Sequence, residues 1–469
     1  MEIKENFNKT GNSFSKEKSS WVALIPFVVF VFMYLGSGIY FVSNGDPMGF
    51  YVLKAPIAIL LGLIAGFFVI KGAFDRKFEQ FIEGCGNSDI IIMIMIYMLA
   101  GAFSTVSAAM GGIDAVVNLG LTIMPPSLIV IGIFMIACFI SLSTGTSVGT
   151  IAAIGPIAVG FADKTGISIA MIMGALIGGT MFGDNLSIIS DTTIASTRTQ
   201  GCSMKDKFRT SLMISIPSML ITVALLYIFG RPDNVSSLAT TSYDINLMKV
   251  LPYAFVLILA LAGLNVFVVL GMGVLLSGII GMFYGQFSIV KFANLTYEGF
   301  AGMFEMVLLA ILSGGLASLV TYGGGIKWIM EKIEKVIKNK TTAELGIGAI
   351  VSLIDAAVAN NTVAIIISGP TCRRISEKYK VDPRRTATLL SCYSTFVQGI
   401  IPYGAQILIA SGLTNGKASP VEIIPFLWYQ FIVFFVTLLS SYFPFANGFI
   451  QKNPWNFDKW EPVQPMLKK

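Results

Sequence analysis

From Trp21 to Tyr442 the chain alternates long apolar runs with short polar loops, and many of the runs reach the ~20 residues that a helical bilayer crossing needs. That alternation leaves one class of fold, an all-α polytopic membrane protein. Inside a bilayer a helix satisfies its own backbone hydrogen bonds, and runs of this length suit it. Composition agrees: 55% of residues are hydrophobic and 12% are charged, about half the charge of an average soluble chain. The net charge of +6 comes from basic residues in the loops between runs. It therefore reads as orientation signal, not as affinity for nucleic acid.

Loop charge sets the topology. Lys4, Lys9, Lys16 and Lys18 precede the first run and predict a cytoplasmic N-terminus, with 1–20 as a cytoplasmic segment and no signal peptide. Spans are expected near 21–43, 51–70, 88–109, 167–193 and 210–230. The polar linker 231–246 is expected outside. The second half supplies two spans within 247–284, then spans near 300–321, 386–411 and 423–443, with 285–299 as an external loop and 444–469 as a cytoplasmic tail. The basic residues of 198–209 and the six in 373–385 are expected in cytoplasmic loops. The chain is thus a multi-pass protein of the plasma (inner) membrane with both termini inside.

Two runs are interrupted. Residues 127–161 contain Ser143-Thr144-Gly145-Thr146-Ser147-Val148-Gly149-Thr150, and 345–372 contain Ala359-Asn360-Asn361-Thr362. Each reads as a re-entrant hairpin of two short apolar arms, since irregular backbone at membrane depth survives only where protein or water covers it. The halves also repeat. Gly112-Ile113 matches Gly325-Ile326 and Gly155-Pro156 matches Gly369-Pro370, at an offset of 213 to 214 residues. With about ten spans, five in each half, and the hairpins' ends on opposite sides, the repeats 21–230 and 247–443 are inverted. Paired broken helices in inverted repeats are a recurring design of secondary transporters.

The costliest stretch is Phe182–Thr193, which places Asp184, Asn185, Ser187, Ser190, Asp191 and Thr192 at membrane depth. These are hard oxygen donors suited to a hard cation such as sodium. Thr146, Ser147, Asn360, Asn361 and Thr362 at the hairpin tips offer more of the same. Asp184 and Asp191 are two turns apart, on one face if the helix is intact. Either could hold sodium or a proton, one at a time, and so couple the two by competition. Gly145 and Gly183 would let carbonyls turn inward. The offset sets Asp184 against Gln398, so Gln398, Pro402, Tyr403 and Gln406 are expected to line the same place. Asp355 either pairs with a basic residue or takes part in proton exchange. Histidine is absent, and the five cysteines form no C-x-x-C pair, so no cofactor and no metal cluster is expected beyond sodium itself.

Ser143–Ser147, the following Gly155-Pro156 and Gly183-Asp184-Asn185…Ser190-Asp191-Thr192-Thr193 resemble the signatures of the NhaC-type sodium/proton antiporter family, within the broader ion-transporter superfamily. Asn360-Asn361-Thr362 and Gln398…Pro402-Tyr403-Gly404 are similar to a subgroup of it. The family commonly has Pro after the Ser of Asp-x-x-Ser, whereas Ser187 is followed by Ile188. The resemblance implies a sodium-coupled secondary transporter, not an enzyme, working by alternating access. The simplest form is a sodium/proton antiporter. The alternative is sodium-driven transport of an amino acid or a carboxylate of the malate or lactate type, and an ion channel is the weaker reading. Partners are membrane lipid, sodium and protons, with a small organic solute and a homodimer left open.

Overall fold

The structure, a computed structural model, describes residues 19–44, 52–188, 190–231, 246–262, 264–458 and 460–462. The N-terminal lysines, most of the loop 43–49, most of the linker 231–246, the turn residue Gly263 and the end of the tail lie outside the described residues.

The first half comprises α1 (Ile25–Ser43), α2 (Ala55–Val69), α3 (Phe74–Cys85), α4 (Ser88–Met110), α5 (Gly112–Ile123), α6 (Ile129–Thr144), α7 (Ser147–Thr165), α8 (Ile169–Leu186), α9 (Asp191–Gln200) and α10 (Met204–Phe229). The second comprises α11 (Leu247–Leu261), α12 (Val266–Phe283), α13 (Ile289–Gly302), α14 (Phe304–Tyr322), α15 (Gly325–Glu334), α16 (Lys340–Val358), α17 (Asn361–Tyr379), α18 (Pro383–Ile400), α19 (Ala405–Leu413) and α20 (Trp428–Tyr442). Among the described residues nine helical stretches are long and apolar enough to cross a membrane. A bent pair, Pro420–Phe426 with Trp428–Tyr442 at 54°, makes a tenth. The protein is an all-helical, multi-pass membrane protein. Outward-facing Phe32, Phe68, Phe139 and Phe283 are exposed, as lipid contact requires.

The elements recur at a constant distance along the chain. α7, α8 and the start of α9 are matched 214 residues later by α17, α18 and the start of α19. The breaks match as well: Gly145 and Ala359 both adopt left-handed backbone, φ 70° and 53°. The side chains of Thr146 and Asn360 then cap α7 and α17 by accepting from the amides of Gly149 and Val363.

The two arms of each hairpin pack against each other. Lys164, at the end of α7, pairs at 3.4 Å with Asp114 on α5, the helix that leads into α6. The Tyr379 hydroxyl, at the end of α17, donates to the Ile337 carbonyl just before α16, at 2.8 Å. The starts of α2 and α14 are joined by Lys54–Glu305 at 2.9 Å, and their ends meet where Tyr322 packs at Gly72. α4 begins beside the middle of α14, where Ile90 packs at Gly314, and its Gly101 meets Met303 just before α14, so the two run antiparallel. The arms are 16 to 19 residues long, longer than the short arms expected. Conversely α2 and α11, at 15 residues each, rise only about 22 Å, less than the ~30 Å hydrocarbon thickness.

Three further expectations change. Residues 285–299 are not merely a loop, because α13 occupies most of them. A Cβ at Gly101 on α4 would lie 2.3 Å from the Gly299 carbonyl of α13, so these two helices touch backbone to backbone. The same contact recurs with the halves exchanged: a Cβ at Gly84 on α3 would lie 2.4 Å from the Gly314 carbonyl of α14. Nor are the basic residues of 373–385 all in a loop. Arg384 pairs with Asp382 at 2.6 Å and Arg385 with Glu344 at 3.0 Å, all four buried. The runs 167–193 and 386–411 are each two helices, not one.

Arg385 also donates to the Ser440 hydroxyl at 2.6 Å, joining α16, α18 and α20. Arg385→Met alone leaves Glu344 buried and unpaired, and is expected to cost about 3–5 kcal/mol. Arg385→Met with Glu344→Leu should restore most of it. Thermal melts of the detergent-purified variants measure both, and equal loss in single and double variants would refute the pairing.

Candidate functional site

The span Ile169–Gln200 breaks between Leu186 and Asp191, with Ser187 and Ser190 extended at φ −61° and −64°. No proline is needed, because Lys207 satisfies the broken end. Its ammonium donates to the Asn185 carbonyl at 2.6 Å, in the last turn of α8, and to the Thr193 and Ser391 hydroxyls at 2.9 and 3.1 Å. A cation is favoured at a helix C-terminus, where carbonyls are unmet. Lys207 is 1% exposed, so it is not a loop charge. The matching break in the second half runs through Ile401-Pro402-Tyr403-Gly404. There the Tyr403 hydroxyl donates to the Ala356 carbonyl at 2.7 Å, tying the break to the second hairpin.

Asp184 closes α8 at 6% exposure. One carboxylate oxygen accepts from the Ser190 hydroxyl and the other from the Ser147 hydroxyl at 3.3 Å. Among the described residues no Lys or Arg forms an ion pair with it. Ser190 stands at the N-cap position of α9, yet its hydroxyl makes no cap bond and serves Asp184 and Thr192 instead. A relay of amides follows. Gln406 donates to the Ser147 hydroxyl at 2.9 Å and accepts from Gln398 at 2.9 Å. Asp184 and its repeat counterpart Gln398 are thus joined through the first hairpin tip and α19.

A cavity of about 500 Å³ opens beside them. Of the residues expected at the site it is lined by Gly145, Thr146, Ser147, Asp184, Asp191, Thr192, Asn360, Asn361, Thr362, Gln398 and Gln406. Both hairpin tips and both broken spans therefore meet at one place. Asp184 and Asp191 share the cavity although no intact helix joins them: the break, not a common face, brings them together. Asp191 begins α9, where a carboxylate meets free amides.

Other expected residues lie elsewhere. Asn185 points away from the cavity, donating to Ser215 and accepting from Ser391, and so braces α10 and α18. Ser187 is buried, with no partner for its hydroxyl among the described residues. Gly183 is a packing residue, for a Cβ there would sit 2.5 Å from the Leu142 amide. Tyr403 packs edge-on against Phe27 and Phe30. Pro402 lines a separate, smaller cavity of about 160 Å³ near Lys54 and Glu305.

The cavity also holds Asp89 and Arg198, which sequence reasoning missed. The Asn360 amide faces the Asp89 carboxylate at 3.5 Å. Asp89 sits in the first turn of α4, capped by Asn87, and so reads as an ordinary helix-start acid. Arg198 reads as a loop charge. Only the convergence of the breaks reveals either.

Broken helices and hairpin tips around a polar cavity inside a helical bundle define a membrane transporter, not an enzyme. The sequence matches the Na+/H+ antiporter family over residues 11–231 and 236–443. The chain belongs to that family. It is 23% identical over 418 residues to a malate-2H(+)/Na(+)-lactate antiporter of Bacillus subtilis, covering 82% of this chain and 87% of the relative. It is 24% identical over 429 residues to the Na(+)/H(+) antiporter NhaC of Alkalihalophilus pseudofirmus, covering 84% and 90%. It is also 22% identical over 434 residues to the arginine/ornithine antiporter ArcD of Halobacterium salinarum, covering 85% and 87%.

Lys207→Met keeps the length of the side chain and removes the donor from the Asn185 carbonyl. It is expected to cost about 1–3 kcal/mol, the penalty of leaving buried acceptors unmet. Hydrogen exchange should show the loss concentrated at 185–193. A loss spread evenly over the chain would refute the role of Lys207 as the cap of α8.

Proposed function

We propose that this chain exchanges sodium for protons by alternating access, with Asp184 as the group that holds either ion. The observation that carries the proposal is the partner set of Asp184: a buried carboxylate met only by hydroxyls, at a helix break, beside a polar cavity. An anion so placed costs several kcal/mol unless a cation or a proton joins it. Asp184 with the Ser147, Ser190 and Thr192 hydroxyls forms a hard oxygen set suited to sodium. Asp191, Thr146, Asn360, Asn361 and Thr362 line the path to it. Family membership and the named antiporters support the same reading.

Sodium and a proton compete for Asp184, so release of one accompanies uptake of the other. The repeats are taken as 21–230 and 247–443, with 231–246 as an external linker and both termini cytoplasmic in a plasma membrane. The segments that move are the hairpins, whose tips touch the cavity from the two halves. One feature favours a second reading, sodium-linked exchange of an amino acid or a carboxylate. About 500 Å³ falls within the ~300–1,000 Å³ of small-molecule pockets, and Arg198 offers a bidentate partner for a carboxylate.

Purified protein in liposomes with an internal pH dye separates the readings. An imposed sodium gradient should move protons with no organic solute present. Asp184→Asn, which keeps the shape and removes the charge, should reduce that flux to the level of empty vesicles. Normal flux in the variant would remove Asp184 from the mechanism. Silence in the wild type, with sodium-dependent uptake of a labelled amino acid or hydroxy acid, would transfer the function to the second reading.

A further inference from the structure

Asp355 is, after Asp184, a second acid buried without a basic partner among the described residues, and the site described above does not use it. It lies in the last turn of α16, four residues before the left-handed Ala359 at which the second hairpin turns. It is 0% exposed, and among the described residues neither carboxylate oxygen has a side-chain hydrogen-bond partner. The expectation that it pairs with a basic residue is not met. No Lys or Arg of α14, α15, α17, α18 or α20, the helices packed on α16, pairs with it among the described residues.

The surroundings supply little other compensation. The main chain at Gln398 is close, but it lies within α18, whose amides are used by the helix itself. The titratable neighbour is Tyr403, whose hydroxyl is already given to the Ala356 carbonyl. Glu344 and Arg385 pair with each other, about 16 Å away along the rise of α16. A bare carboxylate in such a place would go unsolvated at a cost of several kcal/mol.

The repeat shows what the position asks for. The residue 214 positions earlier is Ser141, on the arm of the first hairpin. Its hydroxyl donates to the Thr180 carbonyl of α8 at 2.6 Å, across the helix pair that corresponds to α16 and α18. The position therefore calls for a donor toward a main-chain carbonyl. A carboxylate has no hydrogen to give, whereas a protonated carboxyl has one.

We infer that Asp355 is a second exchangeable proton site, carried by the second hairpin as Asp184 is carried by the first broken span. In the state seen here its carboxyl is sealed and holds its proton. When the hairpin moves and water reaches α16, the O–H bond breaks and the proton passes to that water. The electron pair stays on the carboxylate, whose negative charge balances sodium entering the adjoining cavity. Exchange in the opposite direction restores the O–H bond as sodium leaves. The inference rests on the sodium/proton reading, and it makes the charge movement of each cycle the work of two acids.

Infrared difference spectra of the full-length protein in lipid, with and without sodium, test it. The protonated-carboxyl C=O region should lose two bands on sodium addition, one absent in Asp184→Asn and the other absent in Asp355→Asn. Proton release per protein, read with a pH dye, should halve in Asp355→Asn. Asp355→Ser, which copies the counterpart residue, should behave likewise and guards against loss of fold. A band at Asp355 that ignores sodium, or no protonated band assignable to it, overturns the inference while the Asp184 band upholds the antiport reading. A wild-type spectrum unmoved by sodium at both positions overturns both.

Discussion

The arrangement depends on keeping one carboxylate buried without a basic partner. Asp184 has hydroxyls from the hairpin tip and from the helix break, and no ammonium or guanidinium within ion-pair distance among the described residues. The contrast with the rest of the bundle is instructive. Arg384 and Arg385 are as deeply buried, yet each faces its own carboxylate. Those pairs hold helices together. A permanent countercharge at Asp184 would close the same way and leave nothing for a mobile cation to complete.

Irregular backbone is what admits such a group. A continuous helix would spend its carbonyls and amides internally, and would bury Asp184 against apolar neighbours. The break frees Ser190 to turn its hydroxyl back onto Asp184 and lets Asp191 begin a new helix beside the cavity. The frayed end must be satisfied, and Lys207 does this with three hydrogen bonds. The second half breaks at Pro402, and there the Tyr403 hydroxyl ties the break to a carbonyl of the second hairpin. One geometry is thus reached by two chemistries, which is why a missing proline after Ser187 did not prevent the break.

Much of this was legible because its physical signatures are local or periodic. Apolar runs marked the spans, the glycine-rich and amide-rich interruptions marked the hairpin tips, and the offset of 213 to 214 residues set Asp184 against Gln398. The site's outline at Asp184, Ser147 and Gln406 followed from that register. What escaped were charges whose meaning depends on burial. Lys207, Arg384 and Arg385 lie in basic segments that look like loops, and charge rules count residues without seeing which ones fold inward. Asp89 and Arg198 look like ordinary helix-end charges until the opposite hairpin arrives. α13 escaped because its polar residues resemble a loop, while its reason for being helical is the Gly299 contact with Gly101 on a distant helix.

The repeat is informative where it fails. At Asp184 the second half has Gln398, an amide that relays to Gln406 but carries no charge. At Ser141 the second half has Asp355, an acid where the first half has a hydroxyl that is fully spent on a carbonyl. Each half therefore contributes one acid buried without a basic partner among the described residues, at positions that do not correspond. A strictly symmetric pair at Asp184 and its counterpart would set two like charges on one amide relay and disfavour their joint ionisation. Moving the second acid onto the arm of the opposite hairpin separates them by a broken span while keeping both on elements that turn at the cavity.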